Sequence, residues 1–305
     1  MQISGSTMEK RLFWREFWTL FCAGAIADAI LIAISHLPTT PVAMYLFVKY
    51  NPPKPEMLSI AVAEVVINLA LIVSLGLLAA RSVGFGAPIL EKWLRGEPIR
   101  PHLRSVFVPA LLVGVLLGLW AMVPRLPFLH PNRESHNREA EKILNSSTEA
   151  KLNEFVNRTS GARVTSAELM LSYVCEAIPG ELTTRLFFLS GLIWILAKVT
   201  RTAADAASRT LLWIAILLTI AAAAIPYLAW QSIFDRLMSD AIGGISLPKD
   251  PFWLIVTRLL LRMLPAGIGL GWLYIRRGLE STIIASVIAS AAGYAATTLL
   301  LARLY

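Results

Sequence analysis

The chain has 305 residues, with 28 Lys or Arg against 20 Asp or Glu for a formal charge of +8 at pH 7, yet only 16% are charged and 56% are hydrophobic. Soluble domains carry about 25% charged residues and lack repeated apolar runs of roughly 20 residues, the length a helix needs to cross a hydrocarbon core about 30 Å thick. The composition therefore excludes an ordinary soluble domain. The basic surplus sits in short loops, where it sets orientation and meets anionic lipid, and is not a nucleic-acid signal.

The amino end carries Lys10, Arg11 and Arg15, followed by an apolar run over 17–34 that is too long for the core of a cleavable signal peptide and reads as a retained first span. Phe21 just before Cys22 is wrong for a lipoprotein cleavage site, so Cys22 is expected to be a buried thiol, as is Cys175. Two cysteines make neither a disulfide framework nor a thiolate metal site. Further apolar runs over 58–80, 106–123, 181–197, 211–230, 252–275 and 279–301 bring the expected count to seven spans in an all-α, polytopic membrane bundle. The run 169–178 is too short to cross alone and reads as the first turns of a helix kinked at Pro179-Gly180.

Three regions follow: 1–123 with three spans and a basic loop, an extramembrane and partly helical segment over 124–166, and a four-span core over 167–305. Within the middle segment, 139–156 has helical composition, with Ala140, Ile143, Leu144, Leu152 and Val156 partly on one face, as in an interfacial helix. His130 and His136 read as solvated loop residues rather than metal ligands, and Asn145-Ser146-Ser147 and Asn157-Arg158-Thr159 match the glycosylation pattern. Positive charge alternates between loops. The N-terminus, the loop with Arg81, Lys92, Arg95, Arg100 and Arg104, the group Lys198, Arg201 and Arg209, and the pair Arg276 and Arg277 are expected on the cytoplasmic side. Trp230, Trp253 and Tyr274, near span ends, read as interfacial anchors.

Charged residues at membrane depth cost several kcal/mol unless paired or wetted, so each is a site candidate. They are Asp28 in the first span, Glu64 with Asn68 in the second, Glu176, Glu181 and Arg185 around the fourth, and Arg258 with Arg262 in the sixth. The pairs Glu64/Asn68, Glu181/Arg185 and Arg258/Arg262 are each four residues apart and so share a helix face, which would let three polar faces enclose one wet cavity. The structural alternative is mutual neutralisation, with Glu181 paired to Arg185 and a sixth-span arginine bridging to Glu64 to fix helix register.

Two stretches, CEAIPGELTTRLFFLSGLIWILAK at 175–198 and GLGWLYIRRGLESTIIASVIASAAGYAATTLL at 269–300, together resemble the CPBP family of intramembrane peptidases, which includes type II CAAX prenyl endopeptidases and Abi-type immunity proteins. A weaker likeness is GFGAPILEKWLRGE at 84–97. The resemblance covers the span layout and about half of the chain. It implies a bacterial plasma-membrane protein whose substrate would be a transmembrane or lipidated peptide, and it places Glu181 on the second glutamate and Arg185 on the arginine of the family's first motif, whose first glutamate is replaced by Gly180. In the second motif Ala224 stands where histidine is expected; in the third, Ser286 and Ser290 stand where histidine and Asn or Asp are expected.

Intramembrane peptide hydrolysis needs a polarised water and a group to take its proton, and serine replaces imidazole neither as a base nor as a metal ligand. The leading expectation is thus a catalytically degenerate relative that binds a membrane peptide or other partner, with no cofactor, no metal and Glu181, Arg185, Glu176, Glu64, Arg258, Arg262, Ser286 and Ser290 as the site residues. The first alternative is a rebuilt peptidase centred on Glu181, with Glu176 or Glu64 as replacement carboxylate. The second is a small-molecule carrier or channel lined by the buried charges.

Overall fold

A computed structural model describes residues 7–35, 55–123, 166–200, 209–241 and 251–304. The expected helix over 139–156, His130, His136 and both glycosylation triplets lie outside the described residues. The elements in chain order are α1 (Thr7–Ser35), α2 (Pro55–Ser82), the short α3 (Pro88–Leu94), α4 (Arg100–Trp120) and α5 (Ser166–Glu181). A π-helical stretch (Leu182–Leu189) continues α5 directly into α6 (Ser190–Val199), and α7 (Arg209–Ala241), α8 (Phe252–Arg277) and α9 (Leu279–Leu304) follow.

The chain is an all-helical membrane bundle. Among the described residues, six helices are long and apolar enough to cross a bilayer: Glu9–Ala33, Val62–Ser82, Arg100–Trp120, Met170–Val199, Phe252–Arg277 and Leu279–Thr298. The remaining expected span, 211–230, falls on α7, whose described apolar part, Arg209–Ile225, is shorter. Leucines such as Leu78, Leu112, Leu116 and Leu217 point outward and are 50% or more exposed, an apolar exterior that suits lipid and not water. The buried centre is formed by Leu182, Leu186, Leu189 and Ile193 packed against Val73 and Leu77 of α2, Ile216 of α7, and Tyr274 and Leu279.

The expected kink at Pro179-Gly180 is not where the irregularity falls. Helix α5 runs through Pro179, and the widened turns begin one residue after Glu181. Two further expectations are corrected. Cys22 is exposed, because the inward face of α1 carries Leu20, Ala27 and Leu31 and a residue two positions from Leu20 is turned about 200° away. Tyr274 is no interfacial anchor: it is 1% exposed, and its hydroxyl shares a 2.7 Å hydrogen bond with Ser190. Trp253, 64% exposed, does face outward.

Three of the basic groups expected on one side of the membrane, those at Arg15, at Arg81 to Arg95 and at Arg276–Arg277, share one end of the bundle. Arg81 of α2 donates to Glu16 of α1 at 2.7 Å, and Arg15 donates to the Leu94 carbonyl of α3 at 3.1 Å. The Leu279 amide donates to the Gly86 carbonyl at 2.8 Å, bringing the Arg276–Arg277 turn to the same end. Between them Gly278 takes φ +89 with Pro88 Cδ only 2.3 Å from where a Cβ would be, so a side chain there is excluded both by backbone and by space. The Glu280 carboxylate accepts the Leu90 amide at 2.7 Å and thereby caps α3 from a helix 190 residues away.

Candidate functional site

Six of the polar candidates gather in one cavity of about 920 Å3 between α4, α5 with its π-helical continuation, α7, α8 and α9. It runs from Glu181 and Arg185 toward the end of the bundle opposite the basic loops, because Trp120 ends α4, Tyr173 lies early in α5 and Thr297 and Thr298 lie late in α9.

Glu181 and Arg185 form its inner wall. Both are about 95% buried, with Arg185 Nε 3.4 Å from Glu181 Oε2, close enough for an ion pair but outside hydrogen-bonding alignment. An Arg185 terminal amino group donates to the Ala266 carbonyl of α8 at 3.3 Å, and the hydroxyls of Ser286 and Thr282 on α9 lie beside the Glu181 carboxyl. The carboxylate thus sits against α9 while its neighbouring guanidinium ties the π-helical stretch to α8. The stretch begins between these two residues, and π-helical turns inside longer helices recur at functional sites.

Helix α8 supplies Arg258 and Arg262 on one face, as the four-residue spacing requires. Pro265 deprives the Leu261 carbonyl of its intrahelical donor, and Trp120 Nε1 of α4 donates to that carbonyl at 2.7 Å in its place. On α9 the small polar residues Ser286, Ser290 and Thr297 fall along one side, with Tyr294 beside them and its ring 6.3 Å from that of Tyr173.

Six of the residues expected on a common pocket are thus together: Glu181, Arg185, Arg258, Arg262, Ser286 and Ser290. Two are not. Glu176 is exposed and off the cavity, because α5 stays helical from Glu176 to Glu181 and keeps them about 140° apart. Glu64, on α2, is partly buried and does not line the cavity either, and neither do Asn68 or the buried Asp28 of α1. The replacement-carboxylate arrangement is therefore not what this geometry presents. Tyr173, Thr219, Tyr294 and the Trp120 bond were not anticipated, although Ser286, Ser290 and Thr297 at near-helical spacing in an apolar run carried a usable signal.

Among the described residues the cavity offers one carboxylate, three guanidinium groups and a row of hydroxyls. Among the described residues no group of three His, Cys, Asp or Glu could hold a metal, and the cavity's donor set does not fit a divalent ion. The one described histidine, His102, lies 2.5 Å from Lys92 Nζ at the other end of the bundle. At the position of Ala224, Thr219, Ile220 and Ala223 of α7 form the nearby wall. Compared with known proteins, the chain matches no family model, no curated protein and no solved structure.

Proposed function

We propose that this chain is a CPBP-type membrane protein that has kept the bundle without the catalytic groups and uses the cavity to bind a membrane-borne ligand, a transmembrane or lipidated peptide. The observation that carries this reading is the meeting of Glu181 and Arg185 with Ser286 of α9, the residue standing where the family pattern has histidine. A carboxylate flanked by a guanidinium and two hydroxyls can hold a polar group in place; with no imidazole on the described walls, it has no partner to accept and return a proton during hydrolysis. The clustering of basic residues at one end of the bundle supports an orientation with the N-terminus in the cytoplasm and the cavity mouth on the far side of a bacterial plasma membrane.

The test compares membrane-protein termini by mass spectrometry in cells with the wild-type chain, Glu181→Gln or no chain, alongside a photo-crosslinker placed at Ser290 or at outward-facing Leu112. Binding predicts identical termini in all three strains and membrane-borne adducts from Ser290 alone. New termini that appear only with the wild type overturn it in favour of a rebuilt peptidase.

A further inference from the structure

We infer that a groove on the outside of the bundle holds one acyl chain of an anionic phospholipid, with the phosphate at Lys198. The groove is separate from the cavity: Arg185 of the π-helical stretch lines the cavity, whereas Phe187 and Phe188 line the groove. It begins at a close helix approach. A Cβ at Gly76 would lie 2.9 Å from the Leu186 carbonyl oxygen, so α2 and the π-helical stretch nearly touch there. From this crossing the two helices run the same way toward the basic end, and a space of about 650 Å3 opens between Leu75, Leu78 and Ala79 on α2 and Phe188, Gly191 and Trp194 on the other side. Ala79 and Gly191 lie deeper than the exposed Leu75, Leu78 and Trp194. A Cβ at Gly191 would meet nothing within 4 Å, so the absent side chain leaves part of that space.

The wall selects hydrocarbon. Ser82 carries the only hydroxyl in the lining among the described residues and donates it to the Ala79 carbonyl at 2.7 Å, so the groove presents aliphatic and aromatic surface. Helices that associate in lipid approach through small residues, whereas here the rings of Phe187, Phe188 and Trp194 hold a second backbone away and a hydrocarbon chain passes between them. From Phe188 to Lys198 the helix rises about 15 Å at roughly 1.5 Å per residue, half of a hydrocarbon core about 30 Å thick and so the depth of one leaflet. Charge selects the headgroup. Lys198 Nζ lies 4.4 Å from the centroid of the Trp194 ring, which holds the ammonium at the basic end of the groove. A ring attracts a cation through its quadrupole but brings no negative charge to it. Lysine binds phosphate as a point charge, and an anionic headgroup at the level of Lys198 leaves its chain alongside Trp194 and Gly191.

The experiment reconstitutes the full chain in nanodiscs of phosphatidylcholine and phosphatidylglycerol and reads retained lipid by native mass spectrometry. A phosphatidylglycerol with a photoreactive acyl chain then maps the site by peptide mass spectrometry. Phosphatidylglycerol is expected to be retained about fivefold over phosphatidylcholine, the ratio that corresponds to the roughly 1 kcal/mol a basic residue adds toward anionic lipid. Photoadducts are expected on the peptides carrying Leu78 and Trp194. Gly191→Phe should fill the groove and remove both signals. Lys198→Gln, on an exposed side chain, should remove the preference while leaving chain labelling in place, Lys198→Arg should keep both, and Arg276→Gln with Arg277→Gln should change neither.

Equal retention of the two lipids by the wild type overturns the inference, as does a preference that survives Lys198→Gln or falls equally with the Arg276/Arg277 variant. Photoadducts spread as heavily over outward-facing Leu112 as over Trp194 overturn it in favour of annular lipid only. Crosslinks that join two copies through Ile195, with no lipid retained, overturn it in favour of a second chain. Each of these outcomes is independent of whether the cavity binds a peptide.

Discussion

Replacing Gly114 by Ala should weaken the α4–α9 contact, which forms one side of the cavity. A Cβ at Gly114 would lie 2.6 Å from the Ala285 carbonyl oxygen and 2.8 Å from Ile288 Cβ, and the next turn is as tight, since a Cβ at Gly118 would lie 2.7 Å from Ala292 Cβ. Close C···O contacts settle near 3.3–3.6 Å, so one methyl group must push the helices apart by about 0.7 Å or more. A gap of that size forfeits a quarter or more of the dispersion energy. With on the order of 40 heavy-atom pairs at about 0.1–0.2 kcal/mol each, the loss is about 1–2 kcal/mol. That agrees with the roughly 1–3 kcal/mol typical of overpacking.

The internal control is Gly191→Ala on α6, where a Cβ meets nothing within 4 Å and the change should be neutral or stabilising by about 0.5–1 kcal/mol. The assay is unfolding of the purified chain in mixed micelles on titration with a denaturing detergent, followed by circular dichroism. If Gly114→Ala proves no less stable than Gly191→Ala, the small-residue contact is not what holds these helices together, and the cavity wall built on it must be reconsidered.

Three other outcomes follow from single contacts. Arg185→Leu strands the buried Glu181 carboxylate and should cost about 3–5 kcal/mol in the same titration, most of it recovered in Glu181→Gln with Arg185→Leu, since an uncompensated charge is the source of the loss. Trp120→Phe leaves the Leu261 carbonyl without a donor and should cost about 1–3 kcal/mol; an unchanged midpoint would mean that water or another group satisfies it. Glu280→Ala removes the cap on α3 and should cost about 0.5–2 kcal/mol, with faster hydrogen exchange at the Leu90 amide and little change in the α5 amides.

Much of the bundle was legible because a hydrocarbon core demands long apolar runs, and six of the runs read from composition coincide with spanning helices. The four-residue spacings of Glu181/Arg185 and Arg258/Arg262 put each pair on one face, and both faces do meet at the cavity. The same spacing held for Glu64 and Asn68, which do not line it. Periodicity fixes which residues share a face; it says nothing about how a helix is rotated in the bundle. That rotation follows from contacts such as Gly114 and Gly118 against Ala285, Ala289 and Ala292, or Gly267 against Ile220, which join distant parts of the chain. Helix α3 was read as loop for a related reason: its seven residues are too few to stand alone, and its N-terminus is capped by Glu280 from across the sequence.

The stretches singled out by their motifs, 84–97, 175–198 and 269–300, are far apart in sequence yet meet through a small set of contacts. Gly86 accepts from Leu279, Leu90 donates to Glu280, Ser190 bonds to Tyr274, and Glu181 reaches Ser286. The first three join the basic end into one unit, while the fourth lies deeper, at the cavity wall. The π-helical stretch separates them: it inserts its widened turns between Glu181, which faces the cavity, and Ser190, which faces Tyr274, so a single continuous helix serves both. Changes in the cavity and changes at the basic end should therefore be separable. A Glu181 variant that altered ligand retention while leaving the Leu90 amide as protected as in the wild type would show that the scaffold stands without the carboxylate. Loss of both together would mean that the cavity contact is part of what assembles the bundle.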